Sequence, residues 1–292
     1  MTGRSVKTEE EIEILRKGGK ILARILTRVQ QHVAPGVTTE ELDRHAELLI
    51  REAGGNPAFK GYRAFDAKVP YPASLCVSVN DEVVHGIPRR SRVLQEGDIV
   101  GLDIGMWWPT HESRIMSHES QGGRDSSFKF PAEGEARHGR QVPRPMVTDM
   151  AVTVGVGTIS PEAAKLLQVT EESLYKGIER IKAGARIGDI GAEIQAHIER
   201  HGFGVVRELA GHGVGYQLHE DPYVPNYGSR GEGSVLHAGM VIAIEPMATE
   251  GKFAVVLDKD EWTFRTADGR LAAHFEHTVV VTEDGGLIVT KE

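Results

Sequence analysis

Residues 94–105 read LQEGDIVGLDIG, and residues 236–247 read LHAGMVIAIEPM. Superposing the two sets Leu94 on Leu236, Gly97 on Gly239 and Asp103 on Glu245. Each stretch is a glycine turn followed by an apolar run of strand length that carries one carboxylate. Once, such a run is ordinary. Twice, with glycine and acid in register, it marks a duplicated unit.

The duplication extends in both directions. TDMAVTV (148–154) and FEHTVVV (275–281) set Asp149 on Glu276, while VHG (84–86) and GHG (211–213) set His85 on His212. Upstream, each half opens with two helical patterns. Ile12, Ile14, Leu15, Ile21, Leu22, Ile25, Leu26 and Val29 recur at helical spacing between Glu9 and Val33, before Pro35-Gly36. VTTEELDRHAELLIREAGG (37–55) offers Thr38 or Thr39 as N-cap and Gly54 as stop. The second half answers with SPEAAKLLQVTEESLYKGIERI (160–181), capped by Ser160 with Pro161 at its first position, and IGDIGAEIQAHIERHG (187–202), ending on Gly202. Helices grouped apart from mostly antiparallel strands predict an α+β fold of two pseudo-symmetric helix-helix-strand halves around a shared sheet. The halves run from about 8 to 155 and from 156 to 292, and together form one domain.

One stretch interrupts the symmetry. Residues 110–146 are polar, aperiodic and rich in Gly, Ser, Arg and Pro, between two strand-like segments. They are expected to form a mobile hairpin insertion, with His111, His118 and His138 facing solvent. Composition is that of a soluble globular chain: 292 residues, 40% apolar, 26% charged, net charge −8. That excludes collagen, coiled coil and wholesale disorder, and leaves no basic footprint for nucleic acid or an anionic membrane. The single cysteine, Cys76, fits a reducing compartment. The charged N-terminus has no signal-peptide core and no apolar run spans a bilayer, so the expected location is cytoplasmic.

The acids are out of place. Asp103 lies within DIVGLDIGMWW, Glu245 in MVIAIEPM, Glu276 in HFEHTVVV, and Asp149 opens MAVTVGVG. A buried carboxylate without a partner costs several kcal/mol, and any one of these could take a backbone N–H or an arginine. Four together need more positive charge than Arg265 and Arg270, the nearby basic residues, supply. Two divalent cations would neutralise the set and provide a hydrolytic centre. His212, between glycines that permit close backbone approach, suits a nitrogen ligand. His85 and His219 each follow a turn signal near this centre. Either could donate to a substrate carbonyl or move a proton, and the repeat alone leaves open whether His85 binds metal.

SLCVSVNDEVVHGIP, GDIVGLDIG, TDMAVTVGVG, ELAGHGVGYQLHEDPYVPNYG, GMVIAIEPM and FEHTVVVT, taken in order, resemble the signatures of type I methionine aminopeptidases, from about Thr8 to Thr290. The resemblance implies the pita-bread fold of the M24 metallopeptidases, with a curved sheet. It implies five metal ligands: Asp149 and Glu276 bridging two ions, Asp103 completing one site, His212 and Glu245 the other. It also implies that a water activated between the ions attacks the scissile carbonyl, with Glu245 as proton acceptor. His219 would steady the tetrahedral intermediate, and His85 would assist proton transfer at the scissile amide. Tyr71, Cys76, Leu218 and Trp262 fall on the lining of the methionine pocket, where a thioether packs well against rings and a thiol. Phe59 or Tyr62 would complete that wall.

Two departures stand out. Leu218 replaces the more familiar Phe, and Asp103 and Asp149 are 46 residues apart, far more than in the family. A hairpin lengthens at its tip without moving its base, because loop entropy grows slowly with length. The implied activity is removal of the initiator methionine from new proteins with a small second residue. Its implied partners are N-terminal Met peptides, nascent chains and, transiently, ribosomes, on a monomeric enzyme. Hard donors favour Mn(II), Fe(II) or Co(II), with Zn(II) as an alternative. Rival readings are an Xaa-Pro aminopeptidase or prolidase, which carry an extra N-terminal domain, and a catalytically weak or metal-free binding protein on the same fold.

Overall fold

The structure is a computed structural model that describes residues 6–63, 68–109 and 144–292. The expected insertion, with its three histidines, lies outside the described residues except for its last three positions. The first half runs α1 (Glu9–Gln30), α2 (Thr39–Glu52), β1 (Asn56–Pro57), β2 (Leu75–Val79), β3 (Glu82–Val84), β4 (Ile99–Trp108) and β5 (Met146–Gly155). The second half begins with α3 (Pro161–Ile178), α4 (Ile187–Arg200), β6 (Gly204–Val205), β7 (Ala210–Gly213), β8 (Glu220–Pro225), β9 (Val241–Ile244) and β10 (Met247–Thr249). It closes with β11 (Val255–Leu257), β12 (Phe264–Thr266), β13 (Ala272–His274), β14 (Glu276–Val281) and β15 (Gly286–Ile288).

The helices start where polar side chains satisfy the first backbone N–H groups. Thr8 with Glu11 and Thr38 with Glu41 form reciprocal capping boxes, and Ser160 caps α3 with Pro161 inside it. At α4 the Arg186 backbone N–H instead donates to Asp189 Oδ2 at 2.8 Å. The chain leaves α2 and α4 through Gly54 and Gly202, both at positive φ (73° and 85°), as the sequence predicts. Helix α1 stops at Gln30, three residues short of the apolar pattern's end at Val33.

Among the described residues the main sheet has nine strands in the order β1-β4-β5-β14-β9-β7-β8, with β2 beside β4 and β15 beside β14. Every pairing in it is antiparallel. The two halves meet at the seam between β5 and β14, where Met150 pairs with His277 and Ala151 with Glu276. Met150 and His277 are residues that the duplicated sequences superpose, so the pseudo-twofold axis passes through that pair.

Strand alternation sorts the residues. Leu102, Ile104 and Met150 pack with Leu22, Leu26, Leu42 and Ile50 of α1 and α2. Ile242, Ile244, Val279 and Val281 pack in the same way with Leu166, Leu174, Ile190 and Ile194 of α3 and α4. Each half thus has its own core on the helical face. The alternate residues, Asp103, Asp149 and Glu276 among them, turn to the other face.

Candidate active site

Asp103 on β4 stands opposite Ala151 on β5, and Ala151 stands opposite Glu276 on β14. Glu245 follows Ile244, the partner of His277, and so continues the row on the side of Glu276. Asp149 is two residues from Ala151 on the same face. The methyl group of Ala151 leaves the middle of the row open, and the acids converge there. Thr278 holds Asp149 in this position: its Oγ1 accepts from the Asp149 N–H at 2.9 Å and donates to the Asp149 carbonyl at 2.7 Å.

Burial raises Asp103 to about 7. Burial first, and the neighbouring acids second, push Asp149, Glu245 and Glu276 well above the usual carboxylate range. Arg265 and Arg270 do not relieve them. Arg265 binds Asp81, Glu82 and Asp258 on the flank, and Arg270 lies 3.8 Å from Glu250.

His212 enters from β7. A Cβ on either neighbouring glycine would collide with backbone, 2.3 Å from Ala243 O at Gly211 and 2.1 Å from Asp221 O at Gly213. Only glycine lets β7 lie this close to its neighbours. His212 Nδ1–H donates to Gly213 O at 2.9 Å, which leaves Nε2 with its lone pair toward the acids. Burial holds this imidazole neutral, at about 3.

Asp149, His212 and Glu276 offer ligand atoms that all lie within 4.8 Å of one another. Asp103 Oδ1, Asp149 Oδ1 and Glu276 Oε1 are buried without a hydrogen-bond partner. Orphaned acceptors around a neutral imidazole fit divalent cations, which would satisfy lone pairs and charge together.

The remaining sequence candidates surround this cluster. His219 packs edge-on against the His212 ring, with centroids 4.2 Å apart, and its Nδ1 is 2.7 Å from Tyr62 Oη. His85 sits at φ 58°, a left-handed conformation that turns its ring edge-on toward Trp262 and Phe264. Burial and the neighbouring His219 lower it to about 4.

A cavity of about 300 Å³ joins these residues, lined by Asp103, Asp149, His212, Glu245 and Glu276, by His85 and His219, and by Phe59, Tyr62, Tyr71, Cys76, Leu218 and Trp262. The apolar wall is rigid. Tyr71 meets Trp262 edge-on at 5.2 Å and donates its hydroxyl to Gly86 O at 2.8 Å, and Trp262 Nε1–H donates to Val69 O at 3.2 Å. All the candidates from the sequence therefore line one cavity, and both Phe59 and Tyr62 complete it. Sequence reasoning missed His274 and Thr278. His274 Nε2 lies 3.6 Å from Glu245 Oε2. Neither residue repeats across the halves, so the duplication carried no signal for them.

The model of metallopeptidase family M24 matches residues 13–116 and 142–283. The methionine aminopeptidase of Clostridium perfringens is 44% identical over 285 residues, covering 98% of each chain. The crystal structure of a methionine aminopeptidase from Thermotoga maritima superposes with a TM-score of 0.82 at 40% identity, over 98% of this chain and 99% of that one. The prolidase of Pyrococcus horikoshii shares the fold at a TM-score of 0.66 and 21% identity, and this chain covers 64% of it. With its acid row, its glycine-flanked histidine and a match over most of its length, the chain belongs to metallopeptidase family M24.

Proposed function

We propose that this protein is a dinuclear metal-dependent methionine aminopeptidase that removes the initiator methionine from new proteins with a small second residue. The observation that carries the reading is the continuity of one cavity, with a carboxylate-histidine cluster on one side and an apolar recess of Tyr71, Cys76, Leu218 and Trp262 on the other. Full-length similarity to methionine aminopeptidases, against 64% coverage of the prolidase, favours it over a proline-directed enzyme.

Asp103, Asp149, His212, Glu245 and Glu276 would hold two divalent ions, the four carboxylates giving oxygen donors and His212 Nε2 a nitrogen. The ions are Mn(II), Fe(II) or Co(II), with Zn(II) as an alternative. Bound there, they supply Lewis acidity and a nucleophile usable at neutral pH. The chain supplies the rest. The recess binds the methionine side chain, whose thioether packs against the Tyr71 and Trp262 rings. Glu245 accepts a proton from the attacking water. His219, oriented by Tyr62, donates toward the developing oxyanion, and neutral His85 assists proton transfer at the scissile amide.

The substrates are N-terminal Met peptides and nascent chains met at the ribosome, in the cytoplasm, by a monomer. The molecule acts as one domain of two halves. No helix among the described residues is long and apolar enough to cross a membrane.

The test is release of free methionine from Met-Gly-Met-Met by chelated protein, before and after addition of Mn(II) or Co(II), with an Xaa-Pro peptide as control. Metal-dependent release from the Met peptide alone is expected. Cleavage of the Xaa-Pro peptide instead would move the assignment to the prolidases. Silence with both would leave a binding protein on this fold.

A further inference from the structure

Glu245 differs from the other acids of the row because its two oxygens face two different imidazoles. Oε1 lies 3.4 Å from His212 Nε2, and Oε2 lies 3.6 Å from His274 Nε2. His274 is 3% exposed and its Nε2 has no hydrogen-bond partner. A buried ring N–H left unpaired costs about 1–3 kcal/mol, so a site that keeps one places an acceptor beside it. Glu245 Oε2 is that acceptor, a few tenths of an ångström beyond bonding distance.

The backbone of His274 is fixed from the other half of the molecule. Thr153 Oγ1 donates to His274 O at 2.8 Å and accepts from the His274 N–H at 2.9 Å. The imidazole is therefore delivered from a rigid strand, while the Glu245 side chain has three rotatable bonds to hold. In the first half Cys76 on β2 stands directly opposite Asp103 on β4.

We propose that His274 is a positioning residue for Glu245: its Nε2–H holds Oε2, so that Oε1 stays turned toward His212 and the centre of the acid cluster. The inference rests on reading that cluster as a metal centre. Its energetic basis is a hydrogen bond from the neutral imidazole N–H to a Glu245 side-chain oxygen, which fixes the rotamer before the ion arrives and reduces the ordering entropy of binding.

The experiment is calorimetric titration of the chelated, full-length protein with Mn(II), in wild type, His274→Leu and His274→Gln, with the Tm of each apo form recorded. Leu keeps the volume and removes the donor, while Gln returns an N–H at similar reach. Expected is a 10–100-fold weaker Mn(II) affinity in His274→Leu and affinity within about threefold of wild type in His274→Gln, at similar apo Tm. Wild-type affinity in a folded His274→Leu overturns the proposal. So does equal weakening in both variants, which would assign the effect to ring packing. Should the Leu variant not fold, His274→Gln decides alone, and a loss beyond about tenfold there overturns the proposal. Failure of wild type itself to bind Mn(II) would refute the metal-centre reading, a separate result.

Discussion

At the scale of single residues, the site is a cluster of buried acids, raised above the usual carboxylate range by burial and by one another, around a neutral imidazole. If Glu245 and His212 hold metal as proposed, Glu245→Gln at nearly constant volume and His212→Ala by truncation should each lower kcat/KM at least about 100-fold with little change in the far-UV spectrum. Near-wild-type turnover at low micromolar metal in either variant would show that the ligands are wrongly assigned. His85 gives a prediction of a different kind. Its folded-state value, about 4, lies below the ordinary 6.5, so the folded form binds fewer protons than the unfolded chain in between. Its contribution to stability is therefore complete above about 6.5 and is lost as pH falls toward 4. His219, His212 and His274 are the titratable groups that interact with it. Thermal melts from pH 7 to pH 4 should show a shallower fall in Tm for His85→Gln than for wild type, and parallel curves would contradict this.

At the scale of elements, the seam between β5 and β14 does most to place the site. Thr278 spans it by bonding both the N–H and the carbonyl of Asp149, at 2.9 and 2.7 Å. Thr278→Val keeps the shape and leaves both backbone groups buried without that partner, a cost of about 1–3 kcal/mol. Urea unfolding should register this loss, and metal affinity should weaken with it because Asp149 is no longer held. A variant as stable as wild type would mean that water or the ladder replaces the hydroxyl. The helices belong to this scale too. Thr38 of the α2 capping box should cost about 1 kcal/mol on replacement by Ala, without effect on turnover, since α2 packs on the face away from the cavity.

At the scale of the whole molecule, two halves with separate cores meet where their acids meet, so metal binding should stabilise the assembly as a unit. Saturation at about 100 times Kd corresponds to roughly 2.7 kcal/mol, and chelation should lower Tm by several degrees in a single transition. Two separated transitions on chelation would mean that the halves unfold independently. The ends of β4 and β5 pair at Trp108 and Met146, next to the interrupted stretch. Replacing residues 110–143 by a short Gly-Ser link should accordingly preserve metal-dependent methionine release, and loss of activity in a folded variant would give that stretch a role in the site.

Much of this was legible in the one-dimensional chain because duplication writes tertiary information into sequence. When Asp149 superposes on Glu276 and Asp103 on Glu245, the twofold relation of the strands is already stated, and the capping candidates Thr38 (or Thr39) and Ser160 mark helix starts by local chemistry alone. The sequence did not contain what arises only where the halves touch. The bond from Thr278 to Asp149 crosses 129 residues, and the hold of Thr153 on His274 crosses 121. Neither pair has a periodic or duplicated signal. His274 stands two residues before Glu276 in sequence, yet its meaning comes from Glu245, just past the end of β9. Local pattern decides which residues become strand, helix and cap; the packing of two half-cores across one seam decides which buried polar atoms find partners, and that requires all three dimensions.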